Sequence, residues 1–299
     1  MRRAGARCLV AGAGGYIGRH LVAALRAEGC DVVEAMRTAS RDERRVWDIC
    51  DPKQIPGDLD QFDTLFWMAG VSGTTVSFER APDFIHANVT SMAHVLNVLR
   101  GLAKPPRLVF PSTRLVYKGL SGQGLTESSP VEPLTPYAAT KWMGENLLQM
   151  YGRQYGVPYT IVRLCVLYGN TCPGPGSYGT LRHFLEPAQA GRPVTIFGDG
   201  AQRRSLIHVA DLGHLLGQCG LHPGTRDGLF NLGGPDNLSV REIADKIAAV
   251  YGVPVVTVPW PEEALKLESG DTVFDDAKLA AVMPLKFSER FDGYVGRLR

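Results

Sequence analysis

Two residues stand at a spacing that can move a proton. Tyr137-Ala-Ala-Thr-Lys141 puts a phenol and an ammonium at i and i+4, on one face of a helix and close enough to couple. A phenol near pKa 10 is no base at neutral pH unless its acidity rises about a thousandfold, roughly 4 kcal/mol, which a neighbouring desolvated cation can supply. Lys141 is expected to be that cation, and a surface Tyr–Lys pair is the alternative. Upstream, the apolar run Leu108-Val-Phe110 ends in Pro111-Ser112-Thr113, so hydroxyls emerge at the carboxyl end of a strand, where open α/β sheets place their ligands. Thr113 is expected to hydrogen-bond a reacting oxygen, with Ser112 beside it on the substrate side.

A second set of residues handles phosphate. Gly12-Ala-Gly14-Gly15-Tyr16-Ile17-Gly18 lies between an apolar run and a helical pattern, the context in which such glycines form a dinucleotide loop. Gly12 permits the tight turn, Gly15 lets the backbone approach a pyrophosphate, and Gly18 lets helix and strand pack closely. The helix N-terminus then faces the anion. The second apolar run ends in Met36-Arg37-Thr38-Ala39-Ser40, where a site for NAD would carry Asp or Glu on the ribose 2′-hydroxyl. A guanidinium with nearby hydroxyls suits a 2′-phosphate. Arg37 and Ser40 therefore favour NADP, with NAD as the alternative and a solvated loop charge as the plainer reading of Arg37. Asp48-Ile49 is placed to meet the adenine.

The elements that must hold these groups follow from periodicity. Short apolar runs, Cys8–Ala11, Asp31–Met36, Leu65–Ala69, Leu108–Phe110 and Tyr159–Leu164, alternate with helical segments, the pattern of βαβ units and a parallel sheet. Thr135 as N-cap and Pro136 at N1 start a helix at Tyr137, and Gly29 closes the first helix. Ser239 with Glu242 forms a capping box for a helix over 239–251. The turn-rich stretch Asn170–Gly179 marks the main boundary. The reading is a Rossmann-type doubly wound α/β domain over residues 1–168, to which 206–232 returns. A smaller α/β substrate-binding subdomain comprises 169–205 and 233–299.

Composition limits the function classes. The 299 residues are 44% hydrophobic and 21% charged, and 32 basic against 30 acidic side chains leave +2. That predicts a folded, soluble chain with a small ligand, and neither a nucleic-acid footprint nor a membrane anchor. The six cysteines lack a C-x-x-C and read as free thiols in a reducing cytosol. No export signal, membrane helix or metal site is expected.

Taken together and in order, these residues resemble the extended short-chain dehydrogenase/reductases of the nucleotide-sugar epimerase/dehydratase family. Further matches are Ala69-Gly70 after the third long strand, Asn88 opening a helix, Val116-Tyr117, Arg163 ahead of Leu167-Tyr168-Gly169, Gly198-Asp-Gly200 with Gln202, Arg204 and Asp211, and Phe230-Asn-Leu-Gly233. The resemblance implies cofactor contacts from Gly12, Gly15, Tyr16, Ile17, Gly18, Asp48, Ile49, Ala69, Gly70 and Asn88. It implies Tyr137 as acid/base, Lys141 on the nicotinamide ribose, and Arg204 on a nucleotide-sugar diphosphate. It also implies a homodimer built on the helices that follow Asn88 and Tyr137.

The sequence departs from the family at points that bear on the reaction. Members that eliminate water carry acidic residues directly after the catalytic hydroxyl, where this chain has Arg114 and Leu115, so a dehydratase is not expected. Pro111, Lys118 and Cys165 also differ, and Cys165 reads as a buried packing residue. The preferred reading is NADP(H)-dependent reduction of a keto group on a nucleotide sugar. An epimerase using the same Thr113, Tyr137 and Lys141 is the alternative, and a silent dinucleotide sensor the third.

Overall fold

The computed structural model describes residues 5–38, 45–170 and 180–298. In chain order the main elements begin with β1 (Arg7–Ala11), α1 (Tyr16–Ala27), β2 (Asp31–Met36), β3 (Arg45–Val46) and β4 (Thr64–Trp67). Then come α2 (Val76–Glu79), α3 (Ala81–Ile85), α4 (Ser91–Leu99), β5 (Arg107–Thr113), α5 (Pro136–Tyr155), β6 (Tyr159–Leu164) and β7 (Val166–Tyr168). The remainder includes α6 (Thr180–Gln189), β8 (Val194–Phe197), β9 (Arg203–His208), α7 (Val209–Leu221), β10 (Gly228–Leu232), β11 (Asp236–Ser239), α8 (Val240–Tyr251) and β12 (Val255–Val258).

Seven strands form one sheet in the order β10-β6-β5-β4-β1-β2-β3, every pair parallel. Because side chains alternate along a strand, each strand feeds two cores. Cys8 and Val10 of β1 join Leu21 and Leu25 of α1 with Leu212, Leu215 and Leu216 of α7. Leu9 and Ala11 point the other way, into Met92, Val95 and Leu96 of α4 and Leu148 of α5. Helices thus cover both faces, as an all-parallel sheet requires. The strand order reverses between β1 and β4, which puts the switch point at the carboxyl ends of those strands, over the glycine loop.

A third core holds the remaining segments, with Tyr168, Phe184, Ile196, Leu206, Ile243 and Phe291 among its buried members. Here β9 lies between β7 and β11 in a three-stranded sheet, and β8 pairs with β12. The chain passes between the two bodies more than once: β9 belongs to the small sheet, while β10 lies against β6 in the large one.

Local signals at helix ends are used as their chemistry dictates. Thr135 Oγ1 accepts from the Ala138 amide at 3.1 Å, and Pro136 occupies the first turn of α5. Ser239 and Glu242 complete a reciprocal capping box on α8. Gly29, at φ +79°, follows the end of α1. Asn88 differs from its reading as a helix opener. The helical run begins at Ala81, with Pro82 in the first turn, and Asn88 falls mid-run in a π-helical turn over His86–Thr90. The proline starts the helix early, because its missing N–H costs nothing there.

Candidate active site

The glycine loop closes on the next strands. Gly12 has φ +82°, and a Cβ there would lie 2.6 Å from the Ala69 nitrogen, so only glycine fits. A Cβ at Gly18 would lie 2.2 Å from the Gly12 carbonyl oxygen, which lets α1 sit directly on the loop. Gly15 is the N-cap of α1, without a side-chain cap and without an acidic residue in the first turn. Its uncapped amides and the positive end of the helix dipole offer an anion site. The loop therefore fits a dinucleotide pyrophosphate. Tyr16 is buried and donates to the Gly169 carbonyl at 2.6 Å, while half-buried Ile17 packs into the core beneath α1.

Around the loop stand the other residues read as cofactor contacts. Arg37 follows β2 and is exposed, and its charge reaches Cys50 on the neighbouring edge. Ser40 lies outside the described residues. Asp48 is half-buried and accepts from the Cys50 amide at 3.0 Å, and Ile49 packs on the lower core. Ala69 and Gly70 follow β4. Asn88 holds this turn in place: its Oδ1 accepts from the Val71 amide at 2.9 Å, and its Nδ2 donates to the Val71 carbonyl and to Thr140 Oγ1. Thr140 in turn donates to the Tyr137 carbonyl at 2.8 Å. One side chain thereby links the loop after β4 to the first turn of α5.

Thr113 ends β5, and its hydroxyl accepts from the Leu115 amide at 3.3 Å and stands close enough to the Tyr137 phenol to favour its ionised form. Burial pushes that phenol up to about 12, against the opposing effects of the nearby Thr113 hydroxyl and the Arg114 charge. Tyr137 is thus protonated at neutral pH and poised to donate. Ser112 is buried, with an Oγ that has no hydrogen-bond partner among the described residues. Lys141 Nζ lies 4.1 Å from the centroid of the Phe110 ring. Burial pulls it down to about 7, opposed by the charge of Glu145.

The charge of Arg114 bears on Tyr137 in this arrangement, while the Lys141 ammonium lies over the Phe110 ring. Arg114 opens a short 3₁₀ turn after Thr113, and that turn packs on α5. Burial, followed by the neighbouring Arg204 charge, pulls its guanidinium down to about 9. Arg204 is buried and engaged: it donates to Glu268 Oε1 at 2.6 Å and to the Gly270 and Arg203 carbonyls. Cys165 is buried, its thiol pushed up by desolvation, so it carries no thiolate.

Beneath these groups α5 is fixed to β6 by a buried pair. Arg163 donates to Glu145 from Nε at 2.9 Å and from Nη2 at 2.6 Å. Tyr117 donates to Asn231 at 2.6 Å across 114 positions of sequence, joining two motif segments. Glu145, Glu268 and Thr272 escaped the sequence reading, and the latter two have no local pattern to reveal them. Arg114 had a signal, a base where family members that eliminate water have an acid.

Residues 8–233 match the family described as NAD dependent epimerase/dehydratase. The chain belongs to that family. Among curated relatives, it is similar to a dTDP-4-dehydro-6-deoxy-D-allose reductase of Streptomyces bikiniensis, 28% identical over 93% of this chain and 89% of the relative. A UDP-glucose 4-epimerase of Mycolicibacterium smegmatis is 30% identical over 83% of each chain. Among solved structures, the UDP-glucose 4-epimerase of Thermus thermophilus, in complex with NAD, superposes with a TM-score of 0.82 at 25% identity, covering 97% of this chain and 96% of the other. The fold is accordingly Rossmann-type α/β, and the chain is an enzyme of this NAD(P)-dependent family. Among the described residues no helix is long and apolar enough to cross a membrane, and no group of three or more His, Cys, Asp or Glu could hold a metal ion.

Proposed function

We propose that this enzyme reduces a keto group on a nucleotide-activated sugar, using NADP(H). The observation that carries the choice of dinucleotide is Arg37, an exposed cation directly after β2. Of the two acidic residues of that strand, Glu34 is buried and tied to Arg26 at 2.9 Å, and Asp31 stands at the opposite end, 3.3 Å from Arg7, so no carboxylate from β2 competes with Arg37 for the ribose. Similarity to a dTDP-sugar reductase supports the direction of the reaction.

Gly12, Gly15 and Gly18 would hold the pyrophosphate, Arg37 the 2′-phosphate, and Lys141 the nicotinamide ribose. The chemistry that a dinucleotide held there would supply is a hydride for the keto carbon. The chain's own task is the proton. Tyr137, protonated and beside the Thr113 hydroxyl, donates from its hydroxyl to the ketone oxygen as charge develops there. Thr113 orients both oxygens. Positive charge from Arg114 stabilises the phenolate that remains, and solvent reprotonates it. Proton donation from a group at about 12 suits reduction, since oxidation would need the phenolate first.

An epimerase with the same residues is the second reading, favoured by the 30% identity to a UDP-glucose 4-epimerase. Mass spectrometry of the dinucleotide released from freshly purified protein separates the two. Empty protein or NADP, together with NADPH consumption on a keto-sugar nucleotide, is the expected result. Stoichiometric NAD, and no NADPH consumption, would favour the epimerase and remove Arg37 from the site.

A further inference from the structure

Arg114, Arg204 and Glu268 form a cluster with one negative charge too few. Arg204 is satisfied: a carboxylate at 2.6 Å and two carbonyls take its donors. Arg114 has a single neutral acceptor, Thr272 Oγ1, at 3.2 Å from Nη1, and no carboxylate within ion-pair distance among the described residues. It nevertheless stays half-buried, on the same Thr272 that bridges to Arg204, with Arg204 and Tyr137 among its ionisable neighbours. The remaining ionisable neighbours, Tyr137 and Cys165, are both kept neutral by burial. A desolvated guanidinium beside a second guanidinium is costly unless an anion joins it.

The location says which part of the ligand supplies that anion. Arg114 is adjacent in sequence to Thr113, whose hydroxyl neighbours the Tyr137 phenol, and the turn that Arg114 opens packs on α5, the helix that carries Tyr137. A group held by Arg114 therefore lies within a few bonds of the carbon whose oxygen meets Tyr137, on the sugar ring rather than on its nucleotide. The planar fork of a guanidinium matches two oxygens of one carboxylate.

We propose that Arg114 is a specificity-determining residue that takes an anionic, carboxylate-type substituent carried by the sugar beside the reacting carbon. This deepens the nucleotide-sugar reading and rests on it. The substrate class is then an acidic sugar nucleotide, and Arg204 with Glu268 forms the neutral wall behind the carboxylate.

The test is equilibrium binding to the full chain saturated with NADP⁺, using UDP-glucuronate and UDP-glucose and the same sugars linked to dTDP. Within each pair the nucleotide diphosphate is constant and only the carboxylate changes. The wild type is expected to prefer the acidic member about 10- to 100-fold, the range of a hydrogen bond to a charged group. Arg114→Met removes that preference by weakening the acidic sugar far more than the neutral one, and Arg114→Lys restores part of it. Equal weakening of both sugars in Arg114→Met would assign Arg114 to the shared diphosphate and overturn the proposal. So would equal wild-type affinity for the two. Binding of none of the four, with NADP⁺ still bound, would sink the nucleotide-sugar reading and the proposal with it. Unchanged NADP⁺ affinity confirms that Arg114→Met is folded; if it is not, the comparison of Arg114→Lys with wild type carries the test, and an unaltered preference with the weaker, unforked ammonium would count against the carboxylate.

Discussion

The two ends of the site are built from different material. At the dinucleotide end the work is done by backbone: a loop of seven residues, a helix without a side-chain cap, and glycines where a Cβ would strike Ala69 or the Gly12 carbonyl. At the Tyr137 end it is done by side chains drawn from distant segments, with Thr113, Arg114, Tyr137, Arg204, Glu268 and Thr272 within one network. The first end is a fixed geometry that suits any dinucleotide. The second is a charge distribution, and charge distribution is where one family member can differ from another without changing fold.

The largest effect separates proton chemistry from binding. Tyr137→Phe deletes the donor while keeping the ring that packs edge-on against Phe84, and kcat is expected to fall by about 10²–10⁴ with dinucleotide affinity nearly intact. Steady-state kinetics and calorimetry check this, and a retained kcat would break the assignment of Tyr137. Next comes the support shared by both ends. Arg163→Met strands Glu145 in the core, and a loss of about 3–5 kcal/mol in denaturant unfolding is expected. Glu145 is 1% exposed, so solvent cannot rescue it.

Smaller effects sharpen the dinucleotide end. Arg37→Asp should shift relative affinity from NADP toward NAD by about 10- to 100-fold, the worth of a charge-assisted contact. No shift in titrations of the two dinucleotides would place Arg37 away from the ribose. The last effect, of comparable size at most, is a pH dependence. Burial holds Lys141 down at about 7, and its ammonium, with three donors, is the form that suits ribose hydroxyls. The charged form prevails below that value and is lost above it. Dinucleotide affinity is therefore expected to fall as pH rises from 7 to 9, by at most about tenfold per pH unit, and Lys141→Met should flatten the profile. A flat wild-type profile would contradict the role given to the ammonium.

The same contrast explains how much the sequence disclosed. The glycine loop, the five apolar runs and the caps at Thr135 and Ser239 are local patterns, and local patterns survive in one dimension. Gly12 and Gly18 declare themselves because backbone crowding restricts the residue type at the position itself. Arg204 is legible as a basic residue near the ligand, but its pairing with Glu268 lies 64 positions away and has no periodicity to betray it. Helical spacing alone assigns the cation on Tyr137 to Lys141. Spacing places the two on one helix face, but it does not reveal that Phe110 takes the ammonium while the turn after Thr113 brings in Arg114. Asn88 is legible as a special residue and not as a mid-helix link, since the π-helical turn that aims it at Val71 and Thr140 depends on tertiary packing.

The central claim is hydride delivery to a keto-sugar nucleotide with Tyr137 as proton donor. Its most direct measurement is the mass of the sugar product after incubation with NADPH deuterated at the transferable C4 position. The account predicts one deuterium on the product sugar from the wild type and, in the same time, about 10²–10⁴-fold less labelled product from Tyr137→Phe. An isomerised sugar without deuterium from the wild type, or an unreacted substrate across keto-sugar nucleotides, would contradict it.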